Sequence, residues 1–185
     1  MNMIELMVAI GVASILAATA VPGYYSMIRQ NRLTNQINAF IAAIRVAQSE
    51  AIIRGKPTQI CISSNAEDVT PACSTTGSAW EVGWLVFVDN NGDGVYGAGD
   101  SLVRVGAALV PGHTLRSSIA LAGNVTFSAT GETANGGTFV LCDASDVTQA
   151  RAIFLGANGR IRMYERNSTG TPLDDGGTPI ASCTP

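Results

Sequence analysis

From Leu6 to Ile28 the chain carries no charged side chain, and the 23 residues of this run are mostly Ala, Ile, Leu, Val, Met and Gly. As a helix rising about 1.5 Å per residue, the run spans roughly 34 Å, enough to cross the hydrocarbon core of a bilayer. Glu5 stands at its mouth, with four residues before it. A carboxylate in lipid costs several kcal/mol unless it is paired. Any fold must therefore place this segment in lipid or among other apolar helices, and must account for Glu5.

A cleaved signal peptide is the first rival. It needs a basic leading segment, a short apolar core and a small-residue cut site. Ala17-Ala18-Thr19-Ala20 would serve as a cut site, but no Lys or Arg precedes the run. The first basic residues, Arg29 and Arg32, follow it. By the positive-inside rule they would keep the rest of the chain in the cytoplasm. The cysteines argue the reverse, because an even number in an exported chain favours disulfides. A basic leader that precedes Met1 in a precursor and is then removed reconciles the two, and is the expectation here.

The helical pattern continues beyond the apolar run. Leu33, Ile37, Phe40, Ile41, Ile44 and Ala51 recur at spacings of one amphipathic stripe. Gly55 and Pro57 supply the stop. The spacing predicts one helix of about fifty residues, apolar all round in its first half and on one stripe in its second. Pro22 removes one helical hydrogen bond, so a kink or local melting is expected near residues 18–24.

After Pro57 the period changes to two. Strands are predicted over 58–63, 80–88, 101–105, 114–120, 124–128, 138–142, 152–155 and 160–166, with Gly, Asn and Asp between them. No second long helix is indicated. The fold class is α+β, a long N-terminal helix packed on an antiparallel β-sheet domain. The expected divisions are 1–28 as membrane or filament-core half-helix, 29–55 as amphipathic half-helix, and 56–185 as the β domain. The polar tail 167–185 reads as a surface loop.

Of 185 residues only 14% are charged, against about a quarter in ordinary soluble proteins. The net charge of -3 gives no global reason to bind nucleic acid, so any basic patch must be local. A single histidine, His113, removes most Ser/His/Asp and Cys/His arrangements, and no nucleophile–base pair stands out. The chain reads as a non-enzyme. The four cysteines, Cys61, Cys73, Cys142 and Cys183, contain no CxxC pair and allow three connectivities. The expected pairs are Cys61–Cys73, closing a local loop, and Cys142–Cys183, pinning the tail; four buried thiols are the alternative.

Ile4-Glu5-Leu6-Met7-Val8, the Ala/Ile/Leu run and Ala20-Val21-Pro22 resemble the mature N-terminus of type IV pilins and type II secretion pseudopilins. Asn2-Met3 departs from the Thr-Leu commonest there. The globular half resembles the GspH/FimT/FimU branch, through Gln48-Ser49-Glu50-Ala51, Gly83-Trp84, an Asp/Asn/Gly loop, Leu102-Val103-Arg104 and Gly159-Arg160-Ile161-Arg162. The resemblance implies the type IV pilin fold, peptidase cleavage before Met1 with methylation of its amine, and pairing of Glu5 with a neighbouring subunit's N-terminal amine. It also implies single-pass residence in a bacterial inner membrane, then a periplasmic or extracellular filament. The implied partners are copies of the chain or other pilins, a prepilin peptidase and an assembly machinery. Without the resemblance, Glu5 reads as a carboxylate complementing the helix N-terminal dipole.

Two loops are candidate sites. Asp89, Asn91, Asp93 and Asp100, with Gly94, occupy positions of a calcium loop. The twelfth position is Asp rather than Glu, and Asn-Gly and Asp-Gly equally read as hairpin turn residues. No other cofactor is indicated. Around Asn158-Gly159 a two-residue hairpin turn is predicted, which would set Arg151 opposite Arg166 on one face with Arg160, Arg162 and Tyr164. Such a basic face suits a DNA backbone, a neighbouring subunit's carboxylates or surface lipid, or is a solvated strand face paired with Glu165 or Asp143. The resemblance to FimT-type minor pilins adds weight to DNA. Trp80, Trp84 and Phe87 read as packing residues, and His113 as a surface-loop residue. The expected function is that of a structural subunit of a type IV pilus-like filament. The alternatives are a minor pilin or pseudopilin serving filament initiation, adhesion, type II secretion or DNA uptake, and a binding protein with an uncleaved anchor.

Overall fold

A computed structural model describes residues 2–74, 77–118, 121, 123–144, 146–174 and 177–184. Helix α1 runs from Met3 to Arg54, 52 residues, or roughly 78 Å. It ends where the pattern predicts, at Gly55, whose φ of 62° is the left-handed cap that glycine adopts without strain. The helix is continuous through Pro22, so the melting expected near 18–24 is absent. Proline withholds one N–H, from the Ala18 carbonyl. Losing one bond inside a long helix costs less than nucleating two separate ones.

The globular part holds two four-stranded antiparallel sheets. The first is ordered β3-β2-β1-β5 and comprises β1 (Thr58–Ile62), β2 (Trp84–Val88), β3 (Ser101–Gly106) and β5 (Asn124–Phe127). The second is ordered β4-β6-β7-β8, with β4 (His113–Ser117), β6 (Gly137–Asp143), β7 (Asp146–Leu155) and β8 (Ile161–Met163). Each sheet turns one face to α1. Ile60, Ile62 and Val86 from the first sheet meet Leu115, Phe139, Leu141 and Ile153 from the second over the helical stripe Leu33, Ile37, Phe40, Ile44 and Ala51. Phe40 is the hub, packing edge-on against Trp80, Trp84 and Phe139 at 5.5, 5.1 and 4.9 Å between ring centroids.

The single strand predicted over 80–88 is divided. Trp80–Val82 form a 3-10 turn, and β2 begins only at Trp84. Gly83 between them has φ 121°, and a Cβ there would lie 2.9 Å from the carbonyl oxygens of Gly106 and Ser63. Backbones approach too closely at this point for a regular strand. β7 begins six residues earlier than predicted, and β8 is three residues rather than seven.

The outer faces are covered by loops. Cys61 is bonded to Cys73, beside Leu85 and Phe87. Cys142 is bonded to Cys183, which holds the tail over Val140, Ala150 and Ala152. Replacing Phe40 by Ala empties the hub, and unfolding of the full chain in detergent micelles should show a stability loss of about 3–5 kcal/mol.

Candidate functional site: an apolar half-helix and a basic groove

Among the described residues, large apolar side chains from Met3 to Met27 stand exposed, Met3 at 80% and Ile15 at 69%. A soluble monomer rarely shows a contiguous apolar patch beyond a few hundred Å². Two serine hydroxyls in this half are satisfied internally: Ser14 Oγ donates to the Ile10 carbonyl and Ser26 Oγ to the Gly23 carbonyl, each at 2.8 Å. Tyr24 and Tyr25, in edge contact, sit where the apolar run ends, as aromatic residues do at a membrane interface. Among the described residues, one helix is long and apolar enough to cross a membrane. Burying an apolar side chain of this size returns about 1.5–3 kcal/mol, so burying this half returns tens of kcal/mol, against a few for burying Glu5.

Glu5 is the third residue of the helix, and its Oε2 accepts the Asn2 backbone N–H at 3.4 Å. Within one chain it therefore caps a helix N-terminus, where a carboxylate also meets the favourable end of the dipole. Met1 lies outside the described residues.

Where the apolar half meets the domain, a polar seam joins α1 to the second sheet. Arg29 Nε donates to Asp143 Oδ2 at 2.6 Å, and His113 Nε2 lies 3.6 Å from Asp143 Oδ1. His113 Nδ1 bonds Gln36 Oε1. Thus His113 is a buried seam residue rather than a surface one. It opens β4, and the pairing of β4 with β6 sets it opposite Asp143, a partner thirty residues away that the sequence does not announce. Gln30 bonds Gln149 and accepts from Arg151 Nη2 at 2.7 Å. Nearby, the Thr148 hydroxyl and N–H donate to Asp146, holding its carboxyl below the usual range, with Arg29 adding to the effect.

The basic face differs from its prediction. Leu155 pairs with Ile161, and Gly159 N–H donates to the Gly156 carbonyl at 2.8 Å. The turn has three residues, 157–159, with Gly159 left-handed at φ 74°, instead of two. The extra residue shifts the register. Arg151 pairs with Leu141 on the side facing α1, where burial lowers its pKa and the charge of Arg166 lowers it further. Arg166 is taken up by the carbonyls of Gly170 and Thr148. Asp143, one suggested local partner, is engaged by Arg29 instead. Arg160 and Arg162 remain together. They line a groove of about 510 Å³ with Phe154, Gly156, Ala157 and Asn158, and the Arg162 guanidinium lies 5.4 Å from the Phe154 ring centroid.

In the loop proposed for calcium, the two oxygens of Asp89 accept the N–H groups of Gly92 and Gly94, at 2.6 and 2.9 Å. Those of Asp100 accept the N–H groups of Asn90 and Gly97, both at 2.9 Å. Asp93 Oδ1 accepts from Val95 N, and Asn91 Oδ1 from Asp93 N. Each carboxylate serves its own turn, and no group of three or more metal-ligating side chains converges among the described residues.

The architecture is that of a subunit with one half built for water and one for lipid or other apolar helices. Residues 36–161 match the family model described as Type II transport protein GspH, and the chain belongs to that family. It shares its fold with the type IV minor pilin FimU of Pseudomonas aeruginosa strain PAO1. One crystal form gives a TM-score of 0.58 at 18% identity, covering 84% of this chain and 97% of that one. A second gives 0.56 at 18% identity, covering 82% and 99%. No curated protein sequence matches the chain.

The groove wall depends on Gly159, since a Cβ there would lie 2.1 Å from Gln48 Nε2 and 2.3 Å from the Gly131 carbonyl oxygen. Gly159→Ala should cost about 2 kcal/mol or more, lowering the melting temperature by about 4–8 °C in a calorimetric scan.

Proposed function

We propose that this chain is a structural subunit of a type IV pilus-like filament, held in a membrane by its N-terminal half-helix before assembly and in a helical bundle after it. The observation that carries this reading is the exposed apolar half of α1, continuous with a helix half that is locked into a folded domain. Lipid and a packed filament core are the two environments that satisfy it. Membership of the GspH family and likeness in fold to a minor pilin favour a minor pilin or pseudopilin over the principal subunit.

In this reading Glu5 exchanges partners. In the lone subunit it holds its own Asn2 N–H. In the filament it pairs with the N-terminal amine of a neighbour, and the charge pair offsets part of its cost of leaving water. A prepilin peptidase exposes that amine at Met1, and an assembly machinery extracts the subunit from the membrane.

Native protein should give an N-terminal peptide that begins at Met1 and carries one extra methyl mass. Glu5→Ala should leave the chain in the membrane fraction at normal levels. It should deplete the chain from sheared filaments by about tenfold, as loss of one buried pairing of about 1.4 kcal/mol or more requires. Incorporation at the wild-type level would overturn the assembly role.

A further inference from the structure

Where the uncharged run of α1 ends, the domain comes down onto the helix. Ser26, Arg29, Gln30 and Leu33 follow at spacings of three and four, on one face of α1. Asp143, Asp146 and Gln149, from the turn between β6 and β7 and the strand after it, complete a cavity of about 370 Å³. Its helical wall, residues 26–33, is roughly 10 Å long. Ser26 belongs to the uncharged run, and Arg29 is the first charge after it. With the run in hydrocarbon, the cavity lies in the headgroup layer, which adds about 5–7 Å to each side of a bilayer core. Tyr24 and Tyr25 mark the same level.

Two ionic groups of the cavity keep open positions. Arg29 gives its Nε–H to Asp143 Oδ2 at 2.6 Å, and 57% of its side chain is exposed. A guanidinium has five N–H donors, so those on the terminal nitrogens are left for a second partner. Asp146 uses one oxygen: Oδ1 accepts the Thr148 hydroxyl and N–H, at 2.7 and 2.9 Å. Oδ2 accepts no hydrogen bond among the described residues. The Thr148 bonds hold this carboxyl below the usual range, with Arg29 adding to the effect, so it is anionic at neutral pH. Open donors and an open acceptor thus face one cavity.

One arginine and two aspartates leave that cavity with a surplus negative charge. An anionic headgroup meets this surplus as repulsion. A divalent cation finds one open carboxylate oxygen, where calcium gathers about six or more oxygen ligands. A zwitterion answers both openings: phosphate oxygens accept from Arg29, and an ammonium donates to Asp146 Oδ2, each in a charge-assisted bond. The ammonium has to carry N–H groups, since a trimethylated nitrogen donates nothing.

We propose that this cavity binds the headgroup of an ethanolamine phospholipid, with its phosphate on Arg29 and its ammonium on Asp146. The proposal rests on residence of the half-helix in a membrane before assembly. Such a lipid fixes the height of the domain above the bilayer at the junction of helix and domain, and extraction of the subunit breaks the contact.

The test uses the full chain in nanodiscs holding equal parts of phosphatidylethanolamine, phosphatidylcholine and phosphatidylglycerol with matched acyl chains. Native mass spectrometry counts the lipid that stays bound when the discs are dissolved in mild detergent. The ethanolamine lipid should be retained about fivefold or more over either of the others, as one charge-assisted hydrogen bond implies. Asp146→Asn keeps an oxygen for Thr148 and removes the charge, and should abolish the preference. Arg32→Gln removes a charge outside the cavity and should leave it intact. Equal retention of the three lipids, a preference for phosphatidylglycerol, or an ethanolamine preference that survives Asp146→Asn overturns the site. An equal loss in Arg32→Gln also overturns it, because it assigns the preference to general surface charge. Flotation of the chain with vesicles on a density gradient reads the membrane half separately. Failure to float overturns the membrane reading, whereas floating without selectivity overturns the headgroup site alone. Melting temperatures matching the wild type show that the variants fold, and the selectivity of the unaltered chain decides the matter if one does not.

Discussion

The continuity of α1 is the constraint on which the rest depends. One helix carries an exposed apolar half and a half locked under two sheets, and it runs unbroken from Met3 to Arg54. Wherever the first half goes, the domain is carried with it. Tens of kcal/mol of unsatisfied apolar burial thus act on a rigid handle, and a cost of a few kcal/mol at Glu5 is affordable within that total. Pro22 does not interrupt the rod in this state, although it leaves one carbonyl without its usual donor.

The polar seam at the junction explains how the handle is held. Core packing around Phe40 secures the middle of the amphipathic half. Near its start, where helix leaves domain, the fold substitutes ionic and amide contacts: Arg29 with Asp143, His113 with Gln36, Gln30 with Gln149 and Arg151. Apolar contacts would have extended the greasy surface to the interface. Charged and amide groups end it cleanly and tolerate water on one side. The two disulfides do comparable work on the outer faces, where loops and tail have little core of their own.

The features that distinguish this chain are surfaces: an exposed apolar half-helix and a groove lined by Arg160 and Arg162. The carboxylates of the Asp89 loop each serve a local turn, and the histidine is part of the seam. The apolar half-helix supplies the drive to associate. On the domain, Arg160 and Arg162 line a groove with Phe154.

The sequence by itself determined the helix, its apolar half, its end at Gly55 and the antiparallel β character of the remainder. These depend on periodicity and on local backbone chemistry, which neighbours in the chain dictate. It also carried the N-terminal pattern around Glu5. Tertiary structure decided what depends on distant pairing. The division at Gly83 came from the approach of Gly106 and Ser63, which no local signal encodes. His113 found Asp143 only through the β4–β6 register. Arg151 lies on the helix side with Ile153, and one extra turn residue before Arg160 set Arg162 on the opposite face with Phe154, because alternate residues of a strand point to opposite faces and a shift of one reverses them. Four arginines in a row on paper became two in a groove, since register is a property of the paired strands and not of either one.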